Sequence, residues 1–217
     1  ELSWVGYNRL DLIYSRPNTI QLLKDSGLKS THFGIESFQP LASMAIGKGW
    51  YGKHGKEFLL ELKDKWKNDV SWMMSFIVGL PGDTPENIED TNQWCIDNEM
   101  PAWCFFGLYI NNSPKKLWKS EFDLNYEQYG YSFPNKQTPF KWENDLWTYE
   151  SSQAFAAKMT EDMQKYCKPA VWLLFDLAAL GYDIRYLMNR FKYQLPWLEF
   201  QQKTRKFVDE YIAYQLR

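Results

Sequence analysis

The chain has 217 residues, 45% hydrophobic and 24% charged, with a formal net charge of −2. That balance is ordinary for a globular chain long enough to bury one sizeable core. Near-neutral charge without a long Lys/Arg block leaves no electrostatic footprint for nucleic acid.

Aromatic residues make up 18% of the chain, including 11 Trp, which points to a core of large side chains. Cys95, Cys104 and Cys167 are widely spaced and make no metal-ligand pair, so a reducing, cytoplasmic setting is expected. The most apolar stretch, Ala170 to Leu180, contains Asp176 and is too short to span a bilayer. No charged-then-apolar signal opens the chain. It starts at Glu1 and enters a strand-like segment almost at once, so the natural protein is expected to extend upstream.

Taken in order, Trp4 to Ile13 reads as a strand running into a loop. Pro17 is placed for the first turn of a helix over Thr19 to Asp25, with Ile20, Leu22 and Leu23 on its apolar side and Gly27 to end it. A second strand, Lys29 to Ser37, has polar residues at its exit. Pro40 to Ala45 opens another helix, and Gly47 to Gly52 is a glycine-punctuated loop. Lys56 to Lys67 is amphipathic: Phe58, Leu59, Leu62 and Trp66 share one face.

The most informative stretch follows, Phe76-Ile77-Val78-Gly79-Leu80-Pro81-Gly82-Asp83-Thr84-Pro85-Glu86. An apolar run from Trp72 to Val78 reads as a buried strand and ends in a glycine turn. Asp83 or Thr84 can then cap a helix that has Pro85 in its first turn and Glu86, Glu89 and Asp90 near its positive end. Ile88, Thr91, Trp94 and Cys95 follow at helical spacing. A further strand, Trp103 to Ile110, ends in Asn111 and Asn112.

Strands and helices thus alternate over residues 1–112, which predicts an α/β fold with a parallel sheet. Such sheets, open or closed into a barrel, place ligands at the carboxyl ends of their strands. Arg9, Glu36, Ser37, Asp83, Thr84, Asn111 and Asn112 fall there. Residues 113–148 are rich in Tyr, Phe, Trp, Asn and Pro without a clean period, as expected of an aromatic excursion with at most short helices covering the open end of the sheet. From Ser151 helices return, with Phe155, Met159, Met163 and Tyr166 on one face, then Ala170–Leu180, Asp183–Arg190 and Phe200–Leu216.

The Gly-Leu-Pro-Gly turn is not a phosphate-binding P-loop, since no Gly-Lys-Ser/Thr follows, and it does not match the dinucleotide fingerprint. Glu36 and Asp83 form one candidate acid/base pair, which would make the chain a barrel hydrolase. His32 reads as a core histidine, His54 as solvated, and the cysteines as small buried hydrophobes.

Four motifs, Arg9-Leu10-Asp11, Phe33-Gly34-Ile35-Glu36-Ser37, Gly47-Lys48-Gly49 and Phe76 to Thr84, occur in an order and spacing that resemble the radical S-adenosylmethionine (radical SAM) enzymes. The group that often carries an upstream cobalamin-binding domain is the most similar. The resemblance covers about residues 3–115. It implies a partial, TIM-like (β/α) barrel, of which Trp4–Leu12, Ser30–Glu36, Ser71–Gly79 and Trp103–Ile110 would be the family's third to sixth strands. About four parallel strands with helices are therefore expected over 1–115, an aromatic covering segment over 116–150, and an α-helical carboxyl-terminal extension over 151–217.

The resemblance also implies site residues. Glu36 and Ser37 would line the ribose and methionine portion of S-adenosylmethionine. Ile77, Val78 and Gly79 would pack against adenine, with Leu80 and Pro81 closing the turn. Arg9 would point into the same cavity, and Asp83 stands where the family often has Glu. Ser75 stands where it often has Gly, and residues 108–117 lack the usual Pro-Gly-Thr. The implied activity is cleavage of S-adenosylmethionine at a [4Fe–4S] cluster to give a 5′-deoxyadenosyl radical that attacks a small-molecule substrate, with cobalamin a possible further cofactor. The Cys-x3-Cys-x2-Cys cluster motif is absent from this sequence, so no metal ligand is assigned. The chain is then the carboxyl-terminal part of such an enzyme, inactive alone. The alternative is a non-catalytic relative that binds a ligand or partner. The first strand's open edge predicts a homodimer, while substrate recognition falls by elimination to 113–148 and the tail.

Overall fold

The computed structural model describes residues 4–48, 52–67, 69–101, 103–110, 119–135 and 137–164, together with Lys206, Asp209, Glu210 and Ala213. Four strands form one parallel sheet in the order β1 (Trp4–Asn8), β2 (Leu28–Glu36), β3 (Ser71–Val78), β4 (Trp103–Gly107). Between them run α1 (Leu10–Tyr14), α2 (Thr19–Asp25), α3 (Pro40–Ala45), α4 (Gly52–Trp66) and α5 (Pro85–Asp97). After β4 come α6 (Glu121–Asn125), a 3-10 turn at Tyr126–Tyr129, and α7 (Tyr149–Gln164).

Strand alternation divides the sheet into two faces. Phe33, Trp72, Met74, Phe76, Trp103 and Phe105 share the face that α4 and α5 cover. Trp66 of α4 stacks on Phe33 at 6.0 Å, and Phe38 links Phe76 to Trp94 of α5 at 5.3 and 5.4 Å. This is the main core, and the predicted face of α4 (Phe58, Leu59, Leu62, Trp66) is fully buried in it. Lys56 Nζ lies over the Phe38 and Trp94 rings and closes the core's edge. The opposite, inner face carries His32 and Gly34 of β2, Met73, Ser75 and Ile77 of β3, and Cys104 and Phe106 of β4. Cys95 and Cys104 are buried thiols, and burial pushes Cys104 up to about 12.

The structure corrects the sequence reading in places. The first strand stops at Asn8, and the residues expected to continue it to Leu12 wind into α1, because Leu10 and Ile13, three apart, are both buried. Thr19, not Pro17, opens α2, and Leu22 faces solvent while Ile20 is buried. The fourth strand ends at Gly107 rather than Ile110: Leu108 N–H still donates to the Val78 carbonyl of β3, but the Leu108 carbonyl accepts the Trp142 indole N–H. Asn111, Asn112, Tyr166 and the expected helices over 170–190 lie outside the described residues. Among the described positions of the last segment, Lys206, Asp209, Glu210 and Ala213 are helical. No helix among the described residues is long and apolar enough to cross a membrane.

Candidate functional site

The exits of β2 and β3 converge, and local chemistry fixes each. Register slips between Gly34 and Glu36, a bulge that turns the end of β2. Glu36 takes φ +69°, a left-handed conformation that costs a non-glycine residue on the order of 1–3 kcal/mol and tends to persist at functional sites. Its carboxylate folds back over Gly34, where a side chain's first carbon would collide with Oε1. Lys48 completes the arrangement: its Nζ donates to the Gly34 carbonyl and to Glu36 Oε1, the latter at 3.0 Å. Lys48 also helps to hold His32 down at about 4, although burial is the larger cause.

Beside this pair lies a shallow, partly open cleft lined by Leu10, Asp11, Gly34, Ile35, Ser37, Phe38 and Lys48, with enclosed room for about one water molecule. Arg9 does not point into it. The guanidinium is half exposed, pairs with Asp11 at 2.7 Å, and donates to the Gly47 carbonyl at 3.4 Å, bracing the loop that carries Lys48.

The β3 exit is closed more tightly. Thr84, rather than Asp83, caps α5, its hydroxyl accepting from Asn87 N–H. Asp83 instead clamps the glycine turn: it accepts from Leu80 N–H at 3.0 Å and from the Ser37 hydroxyl at 3.1 Å, tying the two strand exits together. Burial raises its carboxyl to about 7 against those lowering hydrogen bonds. Three aromatic side chains from residues 131–147 then roof the turn. The Tyr131 hydroxyl donates to the Gly79 carbonyl, Trp142 Nε1 to the Leu108 carbonyl, and Trp147 Nε1 to the Asp83 carbonyl. Gly79 sits at φ +97°, and a first side-chain carbon there would meet the Trp142 ring at 2.7 Å.

Of the sequence-predicted site residues, Arg9, Glu36 and Ile77 keep exposed surface, and Ile77 lies on the inner face beside Phe106. Ser37, Leu80, Pro81 and Asp83 are buried in the clamp. Val78 faces the main core and Gly79 lies under Trp142, so of the three residues expected against adenine only Ile77 offers a surface. With Asp83 sealed and Glu36 paired to Lys48, the two carboxylates do not form a solvent-facing acid/base pair. Lys48 and the roof aromatics were not predicted as site residues. Lys48 was nonetheless visible in Gly47-Lys48-Gly49, and the roof in the aromatic richness of its segment.

Fold and site together define a four-stranded parallel α/β sheet, consistent with part of a barrel, with a shallow and mostly apolar cleft at the exit of β2. No protein-family model and no curated protein matches the sequence. Among solved structures, the chain resembles the radical S-adenosylmethionine methyltransferase TsrM of Kitasatospora setae. With tryptophan substrate and the SAM analogue aza-SAM bound, that structure gives a TM-score of 0.55 at 14% identity, over 95% of this chain and 46% of that one. With cobalamin and a [4Fe–4S] cluster bound it gives 0.52 at 15% identity, over 94% and 45%. The archaeal Elp3 of Methanocaldococcus infernus gives 0.52 at 13% identity, over 87% and 42%. At such identities the likeness is one of fold, and the chain spans less than half the length of each.

Glu36 offers hydroxyl-accepting oxygens at a strand exit, and Ile77 an apolar surface. Among the described residues no group of three His, Cys, Asp or Glu is placed to hold a metal ion.

Proposed function

We propose that this chain forms the carboxyl-terminal part of the barrel of a radical SAM enzyme and that its share of the work is holding S-adenosylmethionine. The observation that carries this reading is Glu36, a carboxylate held with left-handed backbone at the exit of β2, on a fold shared with a radical SAM methyltransferase. Glu36 would accept from the ribose hydroxyls, and Ile77 would support one face of the adenine. When bound, the cosubstrate supplies homolytic chemistry at its adenosyl carbon. The protein's contribution is orientation and exclusion of water. A small-molecule substrate and a cytoplasmic setting belong to the same reading, with cobalamin as a possible second cofactor.

The test is equilibrium dialysis with S-adenosylmethionine, using the natural full-length protein after anaerobic reconstitution with iron and sulfide. Wild type should bind and release 5′-deoxyadenosine under reduction, and Glu36→Gln should weaken binding about tenfold, the worth of one charged hydrogen bond. A reconstituted wild type that neither binds nor turns over S-adenosylmethionine removes the proposal. A second reading, a non-catalytic binding module, draws support from the filled β3 exit, where Trp142 occupies the bare face of Gly79. It expects nucleoside binding without any iron requirement.

A further inference from the structure

Asp83 is sealed without a counter-charge. Its side chain accepts from the Ser37 hydroxyl and Leu80 N–H, with help from the Gly79 backbone. These donors offset part of the cost of burying a carboxylate, but a full charge there has no cation to pair with. On the β2 side, Glu36 is engaged by Lys48. The roof contributes Tyr131, whose phenol burial pushes up, and Lys141, which pairs with Glu150 of α7. On α5, Glu86 is exposed and held below its usual range by hydrogen bonds from its own N–H and Thr84, while Glu89 pairs with Lys158. Among the described residues none brings a positive charge to Asp83.

The cover over Asp83 is a unit of its own. Asn144 Oδ1 accepts from Leu146 N–H at 3.0 Å and from Trp147 N–H at 2.7 Å, and Asn144 N–H donates to the Trp147 carbonyl at 2.8 Å. The Asn144–Trp147 turn is thus closed on itself and keeps its shape without the strands beneath it. Its hydrogen bond to the glycine turn comes from the Trp147 indole N–H, which donates to the Asp83 carbonyl at 2.9 Å. Asp145 and Leu146 at its tip already face solvent.

We propose that Asp83 is a proton-dependent latch: the neutral carboxyl lies under the Asn144–Trp147 turn, and ionisation releases that turn so that water reaches the charge. The latch concerns the roof of the β3 exit and is independent of the cosubstrate reading above. Burial fixes its direction. A closed roof raises the carboxyl to about 7, whereas an open one returns it toward the ordinary value of 3.8. Closure is therefore favoured in acid, weakens about tenfold per pH unit between about 4 and 7, and changes no further above that.

Exchange of indole N–H groups tests the latch in the natural full-length protein labelled with nitrogen-15 tryptophan, each rate being corrected for intrinsic exchange. Trp147→Phe and Trp66→Phe assign two resonances, one in the roof and one in the main core, where the Trp66 indole N–H meets the Ile20 carbonyl at 3.3 Å. At pH 7 the Trp147 indole should be about tenfold or more less protected than that of Trp66. Its protection should fall about tenfold per unit from about pH 5 to 7 and then level off. Asp83→Asn should give a flat profile. Ser37→Ala removes a donor to the ionised carboxylate, so it should carry the decline to higher pH. Equal protection of the two indoles means that the roof opens only when the whole protein unfolds, and the latch is overturned. A wild-type profile that persists in Asp83→Asn overturns it as well. Should Asp83→Asn fail to fold, Ser37→Ala decides alone, and an unmoved plateau counts against the latch.

Discussion

Asp83 is 2% exposed, and burial lifts its carboxyl from an ordinary value near 3.8 to about 7. The sign of the consequence follows by linkage. Between about pH 4 and 7 the unfolded chain releases this proton while the folded one keeps it, so folded stability is greatest at the acid end and declines as the pH rises. The decline should reach roughly 2–4 kcal/mol by pH 7. Asp83→Asn keeps an acceptor for Leu80 N–H and has no proton to lose, so its stability should stay flatter over that range. Urea unfolding of both proteins at pH 4.5, 6 and 7.5 checks this, and parallel declines would assign the effect to another group. The glycine turn itself was legible in the sequence, because Gly79, Pro81 and Gly82 punctuate an apolar run. The partner of Asp83 was not. Ser37 lies 46 positions away, and nothing local encodes that distance. Glu36 was found by motif, whereas its left-handed backbone became visible only with the bulge.

At the scale of elements, β2, β3, α4 and α5 were readable because their periods are unbroken. The helix α1 was missed because five residues with two buried positions carry too little period to separate it from a strand's end. The segment from Tyr131 to Trp147 shows the limit most plainly. Its richness in aromatics was evident, but each indole or phenol N–H or O–H donor finds a backbone carbonyl 34 to 64 residues away. Those three bonds make the segment part of the β3 and β4 exits. Gly79 is the matching recess. Gly79→Ala should therefore lose about 2–4 kcal/mol through backbone strain and displacement of Trp142, read as a lower urea midpoint with altered Trp fluorescence. Unchanged stability would mean that the roof does not rest on the glycine.

For the molecule as a whole, the two edges of the sheet differ. Among the described residues no strand pairs with the outer edge of β1, whereas α7 packs along β4. An open edge invites strand addition, and we propose that two copies of this chain pair there. Small-angle scattering across a concentration series should show a dimer. A compact monomer at the highest concentration would count against it, and in a longer protein the same edge would be taken by its own strands.

The covered edge carries a consequence of its own. The Thr160 hydroxyl accepts from Phe105 N–H and donates to Phe105 C=O, both at 3.2 Å, doing for β4 what a neighbouring strand would do. One side chain thus acts as a chain terminator for the sheet. Among the described residues, growth by strand addition therefore has one open edge, that of β1, as its starting point. If two copies meet edge to edge about a twofold axis, as proposed, both open sides are used up and the association would close at two instead of running on into fibres.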